Sequence, residues 1–443
     1  MPKQRKVDIV TLGCSKNLVD SERLMKMLAD AGMEVTHDPS EPTPGAIAVI
    51  NTCGFIGDAK MESVDTILQW VQAKQNGLIE AVYVMGCLSE RYSSELPAEI
   101  PEVDGWYGKL SWAELVKDLA RRYPATAPYD RIITTPRHHA YLKIAEGCNR
   151  FCAFCAIPLI TGRYKSRPVD EIVAEVRMLV ARGVKEFNVI AQDLSAYGTD
   201  IYGENRLAEL IDTVSQIEGV EWIRLHYAYP ADFPMDILDV MAKRPNVCKY
   251  LDIALQHISD PVLSNMRRHI DGAATRALLE EMRRRVPGLH IRTTLMVGFP
   301  GEGDKEFEEL MEFVREQRFE RMGAFAYCEE EDTYAARNFT DSVPQEIKQQ
   351  RLDALMALQE EISFEIQQGK VGSTLRVIID GEEPDYFIGR TQWDSPEVDP
   401  EVLIRKAPGI KLERGSFHNV KIVEAMPFEL IAEYAAEEGA SND

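Results

Sequence analysis

The chain has 443 residues, of which 45% are hydrophobic and 8% aromatic, and its formal net charge is −22. That length accommodates about three domains, and the composition is typical of a soluble globular protein rather than a disordered one. No apolar run approaches the roughly 20 residues of a membrane-spanning helix, and the basic N-terminus carries no cleavage motif of a signal peptide. We therefore expect a cytoplasmic protein whose eight cysteines are free thiols available for metal.

The first segment, residues 1–125, alternates short apolar runs with amphipathic helical patterns. The apolar runs predict strands at 7–12, 46–51 and 81–85, and the helical patterns predict helices at 21–31 and 59–75. Strands that alternate with helices are typical of a parallel sheet with helices on both faces. The sequence therefore predicts an α/β domain with a doubly wound parallel sheet.

One cysteine follows each of these three strands, at Cys14, Cys53 and Cys87. The carboxyl ends of parallel strands lie along one edge of the sheet, where open α/β sheets place their ligands. Three thiols far apart in sequence are thus expected to converge, although buried cysteine is common enough that coincidence stays an alternative. We interpret the three as ligands of a [4Fe-4S] cluster that leaves one iron open.

A linker at 126–139 leads to a second segment at 140–364, where strand-like runs recur between amphipathic helices. Six strands are predicted, at 140–145, 186–190, 222–225, 250–255, 291–297 and 321–327. Helices are predicted at 169–182, 305–316 and 344–368. Six such units indicate an open, partial (β/α) barrel whose chemistry lies at the C-terminal ends of the strands.

Cys148, Cys152 and Cys155 follow the first strand of that barrel with the spacing Cys-x3-Cys-x2-Cys. Three thiols cannot complete the four-cysteine shell of a [4Fe-4S] cluster, so one iron stays open for a ligand that is not protein. The alternatives are three buried thiols or a zinc site, but zinc would need a fourth Cys or His at a short spacing. His138 and His139 precede the loop without such a spacing, and the sequence favours a cluster.

The third segment, residues 365–434, changes to a β pattern punctuated by Gly and Pro. Its predicted strands are 373–379, 385–390, 402–404 and 417–425, and the segment is long enough only for a small β-barrel. Residues 435–443 form an acidic tail that we expect to fray.

The Cys-x3-Cys-x2-Cys loop resembles that of the radical S-adenosylmethionine (SAM) superfamily, and almost the whole chain resembles the methylthiotransferases within it. The resemblance rests on the three scattered cysteines, the flanks of the loop at 141–147 and 163–168, Val-Gly-Phe-Pro-Gly-Glu at 297–302, and a C-terminal segment similar to a TRAM domain. It implies two [4Fe-4S] clusters and SAM as cofactors. SAM would bind the open iron of one cluster and yield a 5′-deoxyadenosyl radical, and the other cluster would carry the sulfur to be donated. An external electron donor is also implied, whereas the sulfur donor stays unknown.

Four residues are candidates for contacts with SAM. Phe154, between two cysteines of the loop, would pack near the adenine, or would simply pack within its own loop. Gln192, Asp193 and Gly298 lie near the ends of predicted barrel strands, and a structural role in turns is the alternative for each. No catalytic residue is predicted beyond the cluster ligands.

Two branches of the family act on different substrates. MiaB-like members modify an adenosine beside the tRNA anticodon, and RimO-like members modify the β-carbon of an aspartate in small-subunit ribosomal protein S twelve. The runs at 224–230, 250–257 and 395–399 are similar to the RimO-like branch. We therefore expect a RimO-type enzyme. The alternatives are a tRNA-modifying enzyme and, more remotely, a non-enzymatic iron–sulfur protein that binds the ribosome.

Charge gives a second argument about the substrate. From residue 363 to the C-terminus, 16 Asp and Glu stand against 8 Lys and Arg, a net charge of −8. A reader of tRNA should be basic, whereas an acidic barrel suits a basic ribosomal protein, so we expect no direct nucleic-acid binding. Glu397 and Asp399 are expected to lie on the rim of the barrel that faces this partner.

Overall fold

The computed structural model describes residues 4–120 and 124–435. Residues 436–443 of the predicted tail lie outside the described residues. Three sheets of more than two strands organise the described part of the chain: two parallel sheets and one closed barrel.

The N-terminal sheet has five parallel strands in the order β2-β1-β3-β4-β5. Its elements are β1 (Lys6–Thr11), α1 (Ser15–Asp30), β2 (Glu34–His37), β3 (Ile47–Thr52), α2 (Gly57–Gln75), β4 (Ala81–Gly86), α3 (Cys87–Arg91), α4 (Leu96–Glu99), β5 (Gly105–Trp106) and α5 (Trp112–Leu119). Alternate residues of β3 and β4 enter two different apolar cores, one on each face, which confirms the doubly wound sheet. The edge strands β2 and β5 were not predicted from the sequence, because β2 is polar and partly exposed and β5 has only two residues.

The central sheet has six parallel strands in the order β13-β12-β11-β10-β9-β6 and forms the expected open barrel. Its first elements are β6 (His139–Lys143), β7 (Ala145–Glu146), α6 (Ile157–Thr161), β8 (Lys165–Ser166), α7 (Val169–Ala181), β9 (Glu186–Ile190), α8 (Leu207–Ser215), β10 (Trp222–Ala228) and α9 (Ile237–Lys243). It continues with β11 (Val247–Gln256), α10 (Asp260–Asn265), α11 (Gly272–Arg285), β12 (His290–Val297), α12 (Asp304–Gln317), β13 (Arg321–Ala326), α13 (Tyr334–Asn338) and α14 (Gln345–Gln368). Besides the six predicted strands, this segment contains short helices and a small antiparallel sheet of β7 and β8.

Residues along the barrel strands alternate between an apolar outer surface and a polar inner one. The outward positions enter the largest core, beneath the helices, and include Leu142, Val189, Leu225, Ile253 and Leu295. The intervening inward positions include Tyr141, Asn188, His226, Asp252 and Arg292. Alternation of this kind is expected for a barrel, and it fills the interior with groups that can bind polar ligands.

The C-terminal segment is a closed five-stranded barrel in the order β14-β15-β16-β18-β17. Its strands are β14 (Thr374–Glu382), β15 (Tyr386–Thr391), β16 (Glu401–Arg405), β17 (Phe417–Ala425) and β18 (Glu429–Tyr434). The sequence analysis missed β18, which follows β17 after a three-residue turn and pairs with both β16 and β17. Without it the barrel would keep two unpaired edges.

This small barrel packs against the amino ends of the central strands. Its β15–β16 loop reaches inward-facing tyrosines: Tyr250 Oη donates to Asp399 at 2.9 Å, and Tyr141 Oη donates to Glu397 at 3.2 Å. The side chain of Asp399 is only 2% exposed and also accepts the Ser395 N–H. The expectation that Asp399 is a rim charge is therefore wrong, because the carboxylate fastens the loop to the partial barrel; Glu397 itself is exposed.

The N-terminal sheet packs against the partial barrel mainly through α1 and α3. Leu18 and Val19 of α1 contact inward-facing Tyr141 and Ile190. On another part of the contact, Arg91 of α3 and Lys60 of α2 bind Glu330 Oε2 at 2.8 and 2.9 Å. The N-terminal sheet thus meets the partial barrel beside the loops that follow its strands.

We propose to divide the chain as the sequence analysis did, at 1–125, 126–139, 140–364, 365–434 and 435–443. The boundary at 364 falls within α14 (Gln345–Gln368), which packs against β13 of the partial barrel and also contacts β17 of the small barrel. That helix therefore belongs to the contact between the two units.

Candidate metal centres and active site

The loop that carries Cys148, Cys152 and Cys155 follows β7 and ends where α6 begins. Arg268 Nη1 lies 3.1 Å from Cys152 Sγ, and the Arg150 N–H donates to Cys148 Sγ at 3.5 Å. Burial raises the pKa of Cys148 to about 11 and also raises the pKa of Cys155. Free thiolates are therefore unfavourable here, and coordination to a metal is what would deprotonate these sulfurs.

The backbone of this loop is held in conformations that most residues avoid. Gly147, directly before Cys148, has a φ of +82°, and a Cβ at this position would clash with the carbonyl oxygen of Arg163. Phe151, directly before Cys152, has a φ of +50° although it has a side chain. Strained residues of this kind cluster at functional sites, where the surrounding structure holds them in place.

The structure brings Cys14, Cys53 and Cys87 together at one edge of the N-terminal sheet. Cys14 caps α1 after β1, Cys53 follows β3, and Cys87 begins α3 after β4. A Cβ on Gly13 would lie 2.7 Å from the Cβ of Cys53, so the segments approach closely enough that only glycine fits. Burial, with a smaller contribution from the neighbouring sulfurs, raises the pKa of Cys87 to about 12.

A buried amide and a buried cation accompany this second triplet, and sequence reasoning missed both. The thiol of Cys87 donates to Asn17 Oδ1 at 3.7 Å, and Lys109 Nζ donates to the same oxygen at 3.2 Å. Burial opposes the charge of Lys109, but Asp20 and Glu146 hold its pKa well above the usual value. Lys109 thus keeps a positive charge beside sulfurs that become negative when they bind metal. Asn17 could have been found one helical turn beyond Cys14, whereas no sequence signal marks Lys109.

The two triplets lie on opposite sides of one contact between the N-terminal sheet and the partial barrel. Cys87 packs against Ala156, the residue after Cys155, and against Ile160 of α6. Within residues 4–120 and 124–435, no three His, Cys, Asp or Glu side chains are placed to hold a single metal ion. Cysteine thiolates are the ligands of [4Fe-4S] clusters, and three thiols at each triplet would leave one iron of each cluster open.

A buried chain of charges connects the helix behind Cys14 to the loop that holds Cys148. Lys143 of β6 pairs with Asp20 of α1 and donates to Glu146 Oε2 at 2.8 Å. Burial opposes the charge of Glu146, but Lys143 and Lys109 lower its pKa to about 2. Gln192 donates to the same carboxylate, and its own Oε1 is buried without a hydrogen-bond partner. That acceptor fits a polar ligand such as SAM at the carboxyl ends of the strands.

The other predicted SAM contacts have protein partners in this structure. Asp193 accepts the Ser195 N–H at 2.9 Å and Arg150 Nε at 2.7 Å. Phe154 packs edge to face with Phe299, with 6.2 Å between ring centroids. Their contribution to SAM binding stays a prediction.

Gly298 has a φ of +75°, and a Cβ there would clash with the side chain of Lys348. Its N–H donates to Glu302 Oε1 at 2.9 Å. Glycine at this position is thus explained by the turn and by the packing of α14, and a contact with SAM stays a prediction.

An aromatic ring between two arginines lies beside Cys152. The guanidinium carbons of Arg150 and Arg268 lie 4.3 and 4.1 Å from the centroid of the Tyr229 ring. Tyr229 Oη lies 3.9 Å from Cys152 Sγ and donates to the Arg268 carbonyl. The only sequence signal for this pair of arginines was Arg150, which lies inside the cysteine loop.

Three family models match the chain in sequence order. They are the Uncharacterized protein family UPF0004 at residues 6–108, the Radical SAM superfamily at 142–314 and the TRAM domain at 371–434. Among curated relatives, the ribosomal protein uS12 methylthiotransferases RimO of Bacteroides fragilis and Phocaeicola vulgatus are each 59% identical to this chain, over 97% of it and 99% of their own length. The RimO of Flavobacterium johnsoniae is 50% identical over 98% of this chain and 99% of its own.

The chain belongs to the RimO family of methylthiotransferases. This confirms the family expected from the cysteine pattern, and membership of the radical SAM superfamily confirms [4Fe-4S] and SAM as cofactors. Among helices of the described residues, none has the length and apolar character to cross a membrane.

Two solved structures show the same fold at low sequence identity. The radical SAM methyltransferase TsrM of Kitasatospora setae has a TM-score of 0.57 and 15% identity, over 75% of this chain and 77% of that one. The cobalamin-dependent radical SAM enzyme OxsB has a TM-score of 0.52 and 12% identity, over 81% of this chain and 56% of that one. Both support an α/β architecture built around a radical SAM barrel.

Proposed function

We propose that this chain is a radical SAM enzyme that transfers a methylthio group to the β-carbon of an aspartate in ribosomal protein uS12, the S twelve protein of the small subunit. RimO relatives that match nearly the full length of the chain support this substrate. The structural observation that carries the proposal is the packing of Cys87 against Ala156. It places two groups of three thiols on the two sides of one contact, as a reaction that needs both a radical and a sulfur donor requires.

The six cysteines supply the ligands. Cys148, Cys152 and Cys155 would hold the cluster that binds SAM, and Cys14, Cys53 and Cys87 would hold the auxiliary cluster. When bound, these groups supply the radical that removes hydrogen from an unactivated carbon and the sulfur that replaces it. An aliphatic C–H has no acidic proton for a general base, so the cofactors carry the chemistry and the protein positions the reactants.

The surrounding side chains would tune and shield the two sites. Arg268 and Arg150 place positive charge beside the first triplet, and Lys109 does the same beside the second. The charged chain of Asp20, Lys143 and Glu146 would hold α1 and the Cys148 loop in a fixed position relative to each other. A fixed separation between radical and acceptor matters, because small displacements at a reacting centre lower rates steeply.

The acidic C-terminal barrel would attract the substrate. Ribosomal proteins are basic, and complementary charge raises association rates. We also propose an external electron donor, because reductive cleavage of SAM consumes an electron, and a location in the cytoplasm, where the ribosomal protein is made. The sulfur donor stays open.

The test is an anaerobic reaction of the reconstituted enzyme with SAM, a reductant and either uS12 or tRNA. We expect 5′-deoxyadenosine and uS12 that gains a methylthio group on one aspartate, both read by mass spectrometry. Methylthioadenosine in tRNA with unmodified uS12 would contradict the substrate. Absence of 5′-deoxyadenosine in every reaction would contradict radical chemistry.

A further inference from the structure

Lys16 is a cation that reaches out of the N-terminal sheet to the mouth of the partial barrel. It lies two residues after Cys14, and its ammonium lies 3.2 Å from the centroid of the Tyr227 ring. Other lysines at this end of the partial barrel have carboxylate partners, namely Lys143 with Glu146 and Lys109 with Asp20. Among the described residues, Lys16 has no carboxylate at ion-pair distance and rests on an aromatic face instead.

The position of Lys16 on its helix is unfavourable unless an anion comes to it. Lys16 is the second residue of α1, and the first turn of this helix contains no acidic residue. The amino end of a helix carries partial positive charge, so a lysine there is repelled and an anion is attracted. Helix and side chain together create a positive potential that nothing within the first turn neutralises.

The residue beneath Lys16 is also in an unusual conformation. Tyr227 has a φ of +64°, and the pairing of β10 with β11 shifts register between Leu225 and Ala228. Such bulges occur next to active sites, where they redirect a side chain. Tyr227 is 37% exposed, so a substrate side chain can approach it and the ammonium that rests on its ring.

The polar groups behind Tyr227 already have partners within the protein. The Tyr227 N–H donates to Asp252 Oδ2 at 3.3 Å, and Asp252 is buried among His226 and Arg292 of the inner face. Asp252 is close enough for the charge of Lys16 to act on it but too far for an ion pair. The ammonium is thus left available for a carboxylate that arrives from outside.

We propose that Lys16 binds the carboxylate of the substrate aspartate, with the ring of Tyr227 as its resting place when substrate is absent. This inference rests on the proposed function and adds a recognition residue to it. The β-carbon to be modified is bonded to that carboxylate, so a cation that holds the carboxylate also fixes the C–H bond. The exchange is favourable, because a charge-assisted hydrogen bond is stronger than an exposed cation–π contact. Lys16 lies two residues after Cys14, so it would hold the aspartate beside the site of the auxiliary cluster.

A competing role for Lys16 is to offset the negative charge of the auxiliary cluster without touching substrate. The two roles predict different behaviour toward the substrate carboxylate. A purely electrostatic role would alter iron content or the spectrum of that cluster, and it would affect all substrates alike. Recognition would instead affect a substrate with a carboxylate and spare one with an amide.

The test compares Lys16→Gln with wild type as reconstituted holoenzymes, using uS12 and uS12 in which the target aspartate is replaced by asparagine. For the aspartate substrate we expect kcat/KM to fall roughly 10- to 100-fold, the range that follows from losing one hydrogen bond to a charged group. We expect the preference for aspartate over asparagine to fall by a similar factor. Iron content and 5′-deoxyadenosine formed without uS12 should stay at wild-type values.

Equilibrium binding of uS12 without reductant gives a readout that does not depend on turnover, and it should weaken for Lys16→Gln and recover in part for Lys16→Arg. Lys305→Gln is the matched control, because Lys305 is also the second residue of its helix, α12, but is exposed and lies between Asp304 and Glu306. Unchanged kcat/KM and preference in Lys16→Gln, or loss of iron from that variant, would overturn the inference. Failure of wild type to modify uS12 would instead overturn the proposed function, and this inference with it.

Discussion

Charged groups serve different purposes at the two ends of the partial barrel. At the amino end, buried Glu186 accepts from Arg390 at 2.7 Å and from Arg224 at 3.0 Å, and Arg390 also binds Asp380. At the carboxyl end, ion pairs such as Lys143 with Glu146 lie beside polar groups without such partners: among the described residues, Gln192 Oε1 has no hydrogen-bond partner and Lys16 has no carboxylate at ion-pair distance. The amino end holds the small barrel in place, whereas the carboxyl end keeps some of its polar groups available for ligands.

Buried Glu186 at the amino end and the loop cysteines Cys148 and Cys155 at the carboxyl end have pKa shifts of opposite sign. Burial opposes the charge of Glu186, but Arg390 and Arg224 hold its pKa well below the usual value. At Cys148 and Cys155 burial outweighs the nearby arginines and backbone N–H groups, so the pKa of each thiol is raised. In barrels of this kind, function gathers at the carboxyl end and stability at the amino end, and the charges of this chain are arranged accordingly.

The largest expected effect comes from removing the cysteines at the carboxyl end of the partial barrel. Replacing Cys148, Cys152 and Cys155 by Ala should remove about half the bound iron and abolish SAM cleavage. The triple Ala variant at the N-terminal triplet should also lose about half the iron but keep most SAM cleavage, while methylthio transfer stops. Iron analysis and assays for 5′-deoxyadenosine and modified uS12 check both. Cys248→Ala, at a buried cysteine outside both triplets, is the control, and unchanged iron in either triple variant would refute that site.

Removing an ion pair at the amino end of the partial barrel should lower the stability of the fold and leave the chemistry unchanged. Glu186→Gln leaves Arg224 and Arg390 buried without their shared carboxylate, which should lower the free energy of unfolding by about 3–5 kcal/mol. Glu204→Gln, which removes an exposed partner of Arg206, should cost about 0–1 kcal/mol. Denaturant unfolding measures both, and SAM cleavage per bound cluster should not change while the protein is folded. Equal effects of the two substitutions would contradict the structural role of the amino end.

Asp252, between the two ends, allows a test of pH dependence. Burial raises the pKa of Asp252 to about 6, from an ordinary value of 3.8. The folded state therefore favours the protonated form, and this contribution to stability is present in acid and lost as the pH rises through about 6. Asp252→Asn should thus be more stable than wild type by about 2–3 kcal/mol at pH 7, with a smaller difference at pH 4.5. A difference in unfolding free energy that does not vary with pH would contradict this.

The smallest effect is expected on the surface of the C-terminal barrel. Glu383 and Asp385 are exposed on the turn between β14 and β15, so changing both to Lys should slow association with basic uS12. We expect KM to rise a few-fold at low ionic strength and the effect to vanish near 1 M salt, where charges are screened within about 3 Å. Glu308→Lys, at an exposed position of α12, is the control. A rise in KM that persists at high salt would mean that the turn acts by direct contact.

The sequence alone determined the local elements of this protein and the placement of its two cysteine triplets. Apolar periodicity is a local property, so β9 and β17 were predicted to the residue, and the rule that parallel strands share an edge placed Cys14, Cys53 and Cys87 together. Short or polar strands such as β2 and β5 carry too little of this signal to be recognised.

Only the tertiary structure decided which charged groups meet. Lys109 approaches Asn17 and Asp20 from about 90 residues away, and Asp399 is buried because its loop reaches Tyr250 of another domain. An exposed and a buried carboxylate look alike in sequence, since their difference lies in the desolvation and partners that packing imposes. The same holds for Lys16. Its contact with the Tyr227 ring depends on how the N-terminal sheet packs against the mouth of the partial barrel.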